Sequence, residues 1–234
     1  FGKWCKPNYN SFVATFCNNI MQGIEISIHD PISKVRLVYI DDICESFLRL
    51  LTGNPRPGLC HTPFEYNSTV GEVAKIISSF KLSRDTLITE RVGVGLTRAL
   101  YSTFLSYTPP PKFSYSVPSY SDERGIFCEM LKTKDSGQIS FFTAHPGVTR
   151  GGHYHHTKTE KFLIIKGKAD FKFENMATGE VAILSVSASM PQIIDTVPGW
   201  AHDITNVGND ELIVMLWANE IFDPLRSDTI TKRL

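Results

Sequence analysis

Three imidazoles and one carboxylate stand in this chain at spacings that a metal site requires, and the rest of the fold has to be arranged around them. The stretch runs Gly147, His153-Tyr154-His155, Glu160, Gly167, and far downstream comes Pro198-Gly199-Trp200-Ala201-His202-Asp203-Ile204-Thr205-Asn206. On a β-strand alternate side chains share a face, so His153 and His155 point the same way and His156 points the other. Glu160 opens the apolar run Lys161-Phe162-Leu163-Ile164-Ile165. That run reads as the returning strand of a hairpin, which would set the carboxylate opposite the two histidines across the ladder. His202 then arrives from a distant strand. Together His153, His155, Glu160 and His202 make a borderline-soft donor set suited to Zn, Fe, Mn, Ni or Cu. The set itself does not choose among them; zinc is the expected ion. His29, His61, His145 and His156 read as ordinary loop or strand residues.

This pattern resembles both signature motifs of the cupin superfamily, small β-barrels of the double-stranded jelly-roll type. The first motif is matched at every spaced position. The second departs slightly: Pro198 lies directly before Gly199 instead of two residues before it, while Gly199, His202 and Asn206 keep their places.

The bulk of the chain supports a globular reading. Its 234 residues are 42% apolar, enough for one large domain or two ordinary ones. Lys and Arg total 24, as do Asp and Glu, so no global field favours nucleic acid or an anionic membrane. The five cysteines, Cys5, Cys17, Cys44, Cys60 and Cys128, are odd in number and dispersed. They fit reduced thiols in a cytoplasm better than a disulfide framework. No apolar run approaches the ~20 residues of a membrane span, and no signal peptide is visible.

The first half alternates helical and extended patterns. Residues 11–23 carry Phe12, Phe16, Ile20 and Met21 near helical spacing between a Ser11 cap and a Gly23 stop. Residues 25–28 and 34–40 read as strands, and Asp41-Asp42 as the cap of a helix that Pro55-Arg56-Pro57-Gly58 ends. A short extended stretch at residues 62–67 leads to Thr69-Val70-Gly71-Glu72, the capping-box arrangement before an amphipathic helix. A further helix is predicted over residues 87–105. Pro109-Pro110-Pro111 and the Ser/Tyr-rich stretch after it mark the domain boundary, giving units 1–112 and 113–234. From Gly125 onward the pattern is short strands separated by turns, as a sandwich or barrel requires. The predicted fold class is therefore mainly β: a C-terminal cupin jelly roll preceded by an α/β fragment of a Rossmann-type reductase domain.

That α/β part resembles the C-terminal portion of an extended short-chain dehydrogenase/reductase acting on nucleotide-activated sugars. The likeness lies in Phe1-Gly2 with its aromatic, proline-bearing loop, in Arg36-Leu37-Val38-Tyr39-Ile40-Asp41-Asp42, and in Tyr66-Asn67 leading into Thr69-Val70-Gly71-Glu72-Val73-Ala74. The resemblance implies that Arg36 meets a nucleotide diphosphate, whose geometry suits a bidentate guanidinium. No glycine-rich phosphate loop follows an initial strand, Gly93-Val94-Gly95 falls mid-helix by pattern, and no Tyr-x-x-x-Lys pair is encoded. This chain alone is therefore not expected to bind a nicotinamide cofactor. Its opening on Phe1-Gly2-Lys3-Trp4, with no methionine, is what a segment of a longer protein would show.

An incomplete reductase lobe joined to a metal cupin resembles, over essentially the whole chain, the bifunctional capsular-polysaccharide synthesis enzymes of the CapF type. In that family a cupin domain epimerises a UDP-linked 4-keto-6-deoxy-N-acetylhexosamine at C3, and an N-terminal reductase domain reduces the ketone with NADPH. The resemblance implies a cytoplasmic homodimer, with NADPH used only by the full-length parent. Arg150-Gly151-Gly152-His153-Tyr154 also resembles a segment of metal-free cupin epimerases, in which the histidine is the base and the arginine holds substrate. His153 thus has two competing roles, ligand or base. If it is a ligand, Tyr154, Lys166, His156 or Asp203 would have to move the proton, and Trp200 offers a stacking surface for a uracil or sugar ring. A metal-dependent cupin dioxygenase and a non-catalytic nucleotide-sugar-binding cupin are the alternatives, since fold does not fix function.

Overall fold

The structure is a computed structural model that describes residues 1–53, 58 and 64–234. Pro55-Arg56-Pro57, Cys60, His61 and the start of the extended stretch at Thr62 lie outside the described residues. The chain divides into two compact units, Phe1–Tyr115 and Ser116–Leu234.

In the first unit the elements run α1 (Phe12–Gln22), β1 (Lys34–Leu37), α2 (Ile40–Thr52), β2 (Tyr66–Thr69), α3 (Val70–Thr86), β3 (Ile88–Thr89) and α4 (Gly95–Leu105), closed by a 3₁₀ turn at Pro110–Lys112. Ser11 caps α1 by accepting the Ala14 N–H, and Gly23 ends it in the left-handed conformation. At α3 the capping box is complete: Thr69 Oγ1 accepts the Glu72 N–H, and the Glu72 carboxylate accepts the Thr69 N–H. The core lies between α1, α3 and α4, where Cys17, Ile77 and Leu100 are fully buried. β1 and β2 form a two-stranded antiparallel sheet.

Three local expectations are corrected here. Residues 25–28 alternate but find no ladder partner among the described residues; Ile26 and Ile28 pack against the helical core, and an extended segment without a ladder is not a strand. Asp41 and Asp42 do not cap α2. Its N-cap is Tyr39, with no side-chain bond, and the two carboxylates sit in the first turn, where the helix dipole favours them. The helix predicted from residue 87 starts only at Gly95, because Leu87 ends α3 in the left-handed region and β3 follows. Gly93-Val94-Gly95 therefore forms the entry of α4 instead of its middle. Among the described residues no helix is long and apolar enough to cross a membrane.

The second unit is all β: β4 (Ser119–Asp122), β5 (Gly125–Thr133), β6 (Gly137–Ala144), β7 (Thr149–Tyr154), β8 (Glu160–Lys166), β9 (Lys168–Asn175), β10 (Val181–Ser187), β11 (Ile193–Asp195), β12 (Trp200–Asn206), β13 (Leu212–Ala218) and β14 (Ile230–Thr231). One sheet has the order β10-β9-β12-β7-β14. The other has β11-β8-β13-β6-β5, with β4 added against β5. All of these pairs are antiparallel. From β6 to β9 and from β10 to β13 the chain switches sheets at each strand, as in the jelly roll expected from the sequence, and Phe142, Phe162, Phe171, Ile204, Val214 and Leu216 fill the space between the two faces.

The hairpin expected between the histidine strand and the Glu160 strand does not form. β7 pairs with β12 and β14, whereas β8 pairs with β13 and β11. Residues 155–159 cross from one sheet to the other. Facing sheets stand ~10 Å apart, so the Glu160 carboxylate from one sheet and the imidazoles from the other still meet midway between them.

Candidate metal centre

A bulge sets the first two donors. His202 on β12 lies directly opposite His153 on β7, but the next pair is Asp203 with Gly151, which leaves Gly152 as an extra residue. Gly151 has φ +101°, and a Cβ there would stand 2.7 Å from the His202 carbonyl oxygen, so only glycine fits. The His153 and His202 ring centroids come within 4.6 Å. His155, just past the end of β7, brings its ring to 4.9 Å from His153 and 5.7 Å from His202.

Glu160 meets them from the opposite sheet. Its Oε2 is 3.3 Å from His155 Nε2 and 3.5 Å from His202 Nε2. One donor atom from each of the four residues lies within 4.8 Å of the others. His155, Glu160 and His202 are buried; His153 is half-buried.

The hydrogen-bonding pattern fits a cation at this point. His155 Nδ1 lies 2.5 Å from the Asp228 carbonyl oxygen. A neutral imidazole carries one N–H, and an oxygen acceptor at Nδ1 claims it. The Nε2 lone pair then faces the Glu160 carboxylate. Lone pairs and an anionic oxygen converging on one point repel unless a positive charge stands between them, and three nitrogens with one oxygen suit a divalent ion. Burial alone would raise the Glu160 carboxyl, but the adjacent His155 and His202 rings and the Lys158 ammonium outweigh it and hold the group well below the usual range. Burial, and then the neighbouring His202, push His153 down to about 4, so its ring is neutral at neutral pH.

His153, Glu160 and His202 line a cavity of about 520 Å³, the size of a small-molecule site. Phe127, Phe142, Phe162 and Leu216 supply apolar wall, while Tyr120, Arg124, Arg150 and Lys158 supply polar groups. Lys158 Nζ lies 2.8 Å from Glu160 Oε1. Arg150 donates from Nε to the Thr143 carbonyl at 2.8 Å, and its guanidinium stands over the Phe142 ring. Its Nη2, 3.8 Å from Asp122, is buried with no hydrogen-bond partner.

The remaining residues singled out from the sequence lie elsewhere. Tyr154 and Trp200 line a separate open groove with His156 and Pro198, because Tyr154 alternates with His153 and so turns outward. Lys166 is exposed at the far end of β8, six residues or ~20 Å along the strand from Glu160, and does not line the cavity. Arg36 belongs to the first unit, where it is exposed and 3.8 Å from Glu65. Lys158 was missed, although its position two residues before Glu160 was a usable signal. Asp228 was missed too; nothing in the sequence around it marks it.

Residues 120–230 match the polysaccharide biosynthesis C-terminal domain family. The chain is 56% identical, over 98% of its own length, to a UDP-2-acetamido-2,6-beta-L-arabino-hexul-4-ose reductase of Pseudomonas aeruginosa. The whole chain superposes on the capsular polysaccharide assembling protein CapF of Staphylococcus aureus with 38% identity and a TM-score of 0.95. A second crystal form of CapF gives a TM-score of 0.94, with the chain covering 69% of that structure. The chain spans 62% of the length of the Pseudomonas relative and 64% of the first CapF structure.

Proposed function

The chain belongs to the family of the capsular polysaccharide assembling protein CapF, and from that premise we propose that its barrel epimerises C3 of a UDP-linked 4-keto-6-deoxy-N-acetylhexosamine. The observation that carries the reading is the juxtaposition, in one cavity, of a convergent three-imidazole, one-carboxylate centre with two cationic side chains that have donors to spare. The name of the Pseudomonas relative describes a UDP-linked hexul-4-ose, and a ketone at C4 acidifies the proton on C3. Epimerisation then needs that proton removed, the enolate oxygen stabilised and the proton returned on the other face.

His153, His155, Glu160 and His202 would hold the ion, which we assign as zinc. A bound divalent ion supplies Lewis-acid polarisation of a ligated oxygen. Lys158 uses one N–H on Glu160 and keeps two for a substrate oxygen, which makes it the group best suited to steady the enolate. The unpartnered Nη2 of Arg150 suits a diphosphate or sugar oxygen. Apolar walls exclude water around these donors, which strengthens each of them.

For the whole protein we propose capsular polysaccharide precursor synthesis by a cytoplasmic homodimer. NADPH-dependent reduction of the C4 ketone would there depend on a cofactor loop and Tyr/Lys pair that this chain does not encode. The test is deuterium incorporation at C3 of the UDP-4-keto sugar in D2O, followed by NMR with the purified chain. Exchange that is lost on chelation and cut at least ~10²-fold in Lys158→Met is expected. No incorporation at saturating substrate overturns the reading.

A further inference from the structure

The crossing segment that carries His155 and Lys158 has left both sheets, so its backbone needs partners from elsewhere. They come from a residue far along the chain. The Asp228 carboxylate accepts the N–H groups of His156 at 3.0 Å, Thr157 at 2.7 Å and Lys158 at 2.8 Å, and the Thr157 hydroxyl at 3.0 Å. Three successive N–H groups aimed at one carboxylate form an anion nest. The main-chain carbonyl of the same residue accepts from His155 Nδ1. One residue therefore fixes both the orientation of a ligand and the turn that leads to the next one.

The segment continues in the same manner. β14 pairs with β7, Thr231 opposite His153 and Ile230 opposite Tyr154. The Lys232 N–H donates to the Gly152 carbonyl at 2.8 Å, on the bulge that aligns His153 with His202. The Leu234 N–H donates to Asp203, the neighbour of His202. Residues 228–234 thus contact the backbone beside His153 and His155, the side chain of Asp203 next to His202, and the turn that delivers Glu160.

We propose that residues 228–234 are a strap that presets the metal centre, with Asp228 as its principal positioning residue. Without the strap, a binding ion would itself have to order the 155–159 crossing and select the His155 tautomer, and that ordering cost would come out of its affinity. Groups standing behind metal ligands in this way change affinity by about 10- to 100-fold when removed. The inference rests on the metal-centre reading but not on the epimerase reading.

The test uses the full chain with zinc or cobalt alone as probe. In Asp228→Ala the Zn²⁺ dissociation constant, measured by competition against a chromogenic chelator, should rise about 10- to 100-fold. Asp228→Asn, which keeps one accepting oxygen, should lie between it and the wild type. The visible absorption bands of bound Co²⁺ should shift in both variants, because the crossing segment loses carboxylate contacts that order it. A simple loss of stability would leave the cobalt bands unmoved. Folded variants that bind zinc within twofold of wild type, with unshifted bands, overturn the strap; if Asp228→Ala does not fold, a folded Asp228→Asn with unchanged affinity does so alone. Wild-type chain that binds neither ion overturns the metal centre and the strap together. Wild type that binds metal yet exchanges no C3 proton overturns only the epimerase reading, and the weakened binding of the variants would still support the strap.

Discussion

The two units bury different chemistry. Among the described residues of the helical unit the one polar side chain in the core is Thr103, whose hydroxyl is satisfied by the Ala99 carbonyl one turn back. The barrel buries nine: Gln138, Ser140, Thr143, His155, Glu160, Thr196, His202, Asp203 and Asn206. Some of these are structural, as Asn206 is, tying the Ala144 and Asp210 carbonyls and the Gly208 N–H together. His155, Glu160 and His202 instead turn toward one another. Burying such groups without full pairing costs free energy that an apolar core avoids. That cost is accepted in the barrel and not among the described residues of the helical unit, although each unit has its own apolar core.

The sharpest way to break this contrast is to remove a donor. His155→Ala and His202→Ala should each weaken Zn²⁺ binding by more than about 100-fold, since loss of a direct ligand exceeds the 10- to 100-fold of residues that merely orient one. His29→Ala, an exposed histidine of the helical unit, should leave the affinity unchanged. Metal content after gel filtration and chelator competition measure both. Full stoichiometry in His155→Ala would mean that the buried polar cluster is a structural network instead.

Much of this centre could be read before any coordinates, and the limits are instructive. The period-two rule placed His153 and His155 on one face, and the structure converges them with His202 and Glu160. The same rule could not say which strand Glu160 would pair with, because strand pairing in a jelly roll alternates between sheets and leaves no local trace. Lys158 stands two residues before Glu160, but only the structure brings its ammonium to 2.8 Å from that carboxylate. Asp228 lies 73 residues from His155 in a stretch with no periodicity, so its role exists only in three dimensions. In the helical unit the capped helices α1 and α3 were legible because capping is chemistry between near neighbours. The start of α4 was not, because Leu87 adopts a left-handed conformation that β-unbranched, non-glycine residues rarely signal. Residues 25–28 alternate as a strand would, yet a ladder needs a second strand that sequence pattern cannot supply.

A core truncation should sharpen the contrast from the other side. Ile77 is fully buried against α1 and α4 side chains in the helical unit. Ile77→Ala should destabilise that unit by about 2–5 kcal/mol through lost burial and a residual cavity. Chelator competition should find the zinc affinity of the barrel unchanged. A parallel loss of metal would show that the two units do not divide stability and chemistry as their buried residues imply.

The smallest effect tests whether the helical unit's polar groups are purely structural. Thr69→Ala removes the side-chain half of the α3 capping box, leaving the Glu72 N–H without its acceptor, and should cost about 1 kcal/mol. The reciprocal half carries a pH signature. Hydrogen bonds from Ser68 and from the Thr69 backbone hold the Glu72 carboxyl below its ordinary value of 4.5. A carboxyl whose folded pKa is depressed contributes stability that is complete above the unfolded value and is lost as pH falls through the folded one. The rate of amide hydrogen exchange in the first turn of α3 should therefore fall less steeply below pH 4.5 than the base-catalysed chemistry alone predicts. Thr69→Ala should speed exchange there at every pH while leaving zinc affinity untouched. An effect on the metal centre would assign this cap a part in the site, and the division between an inert helical unit and a chemically active barrel would fail.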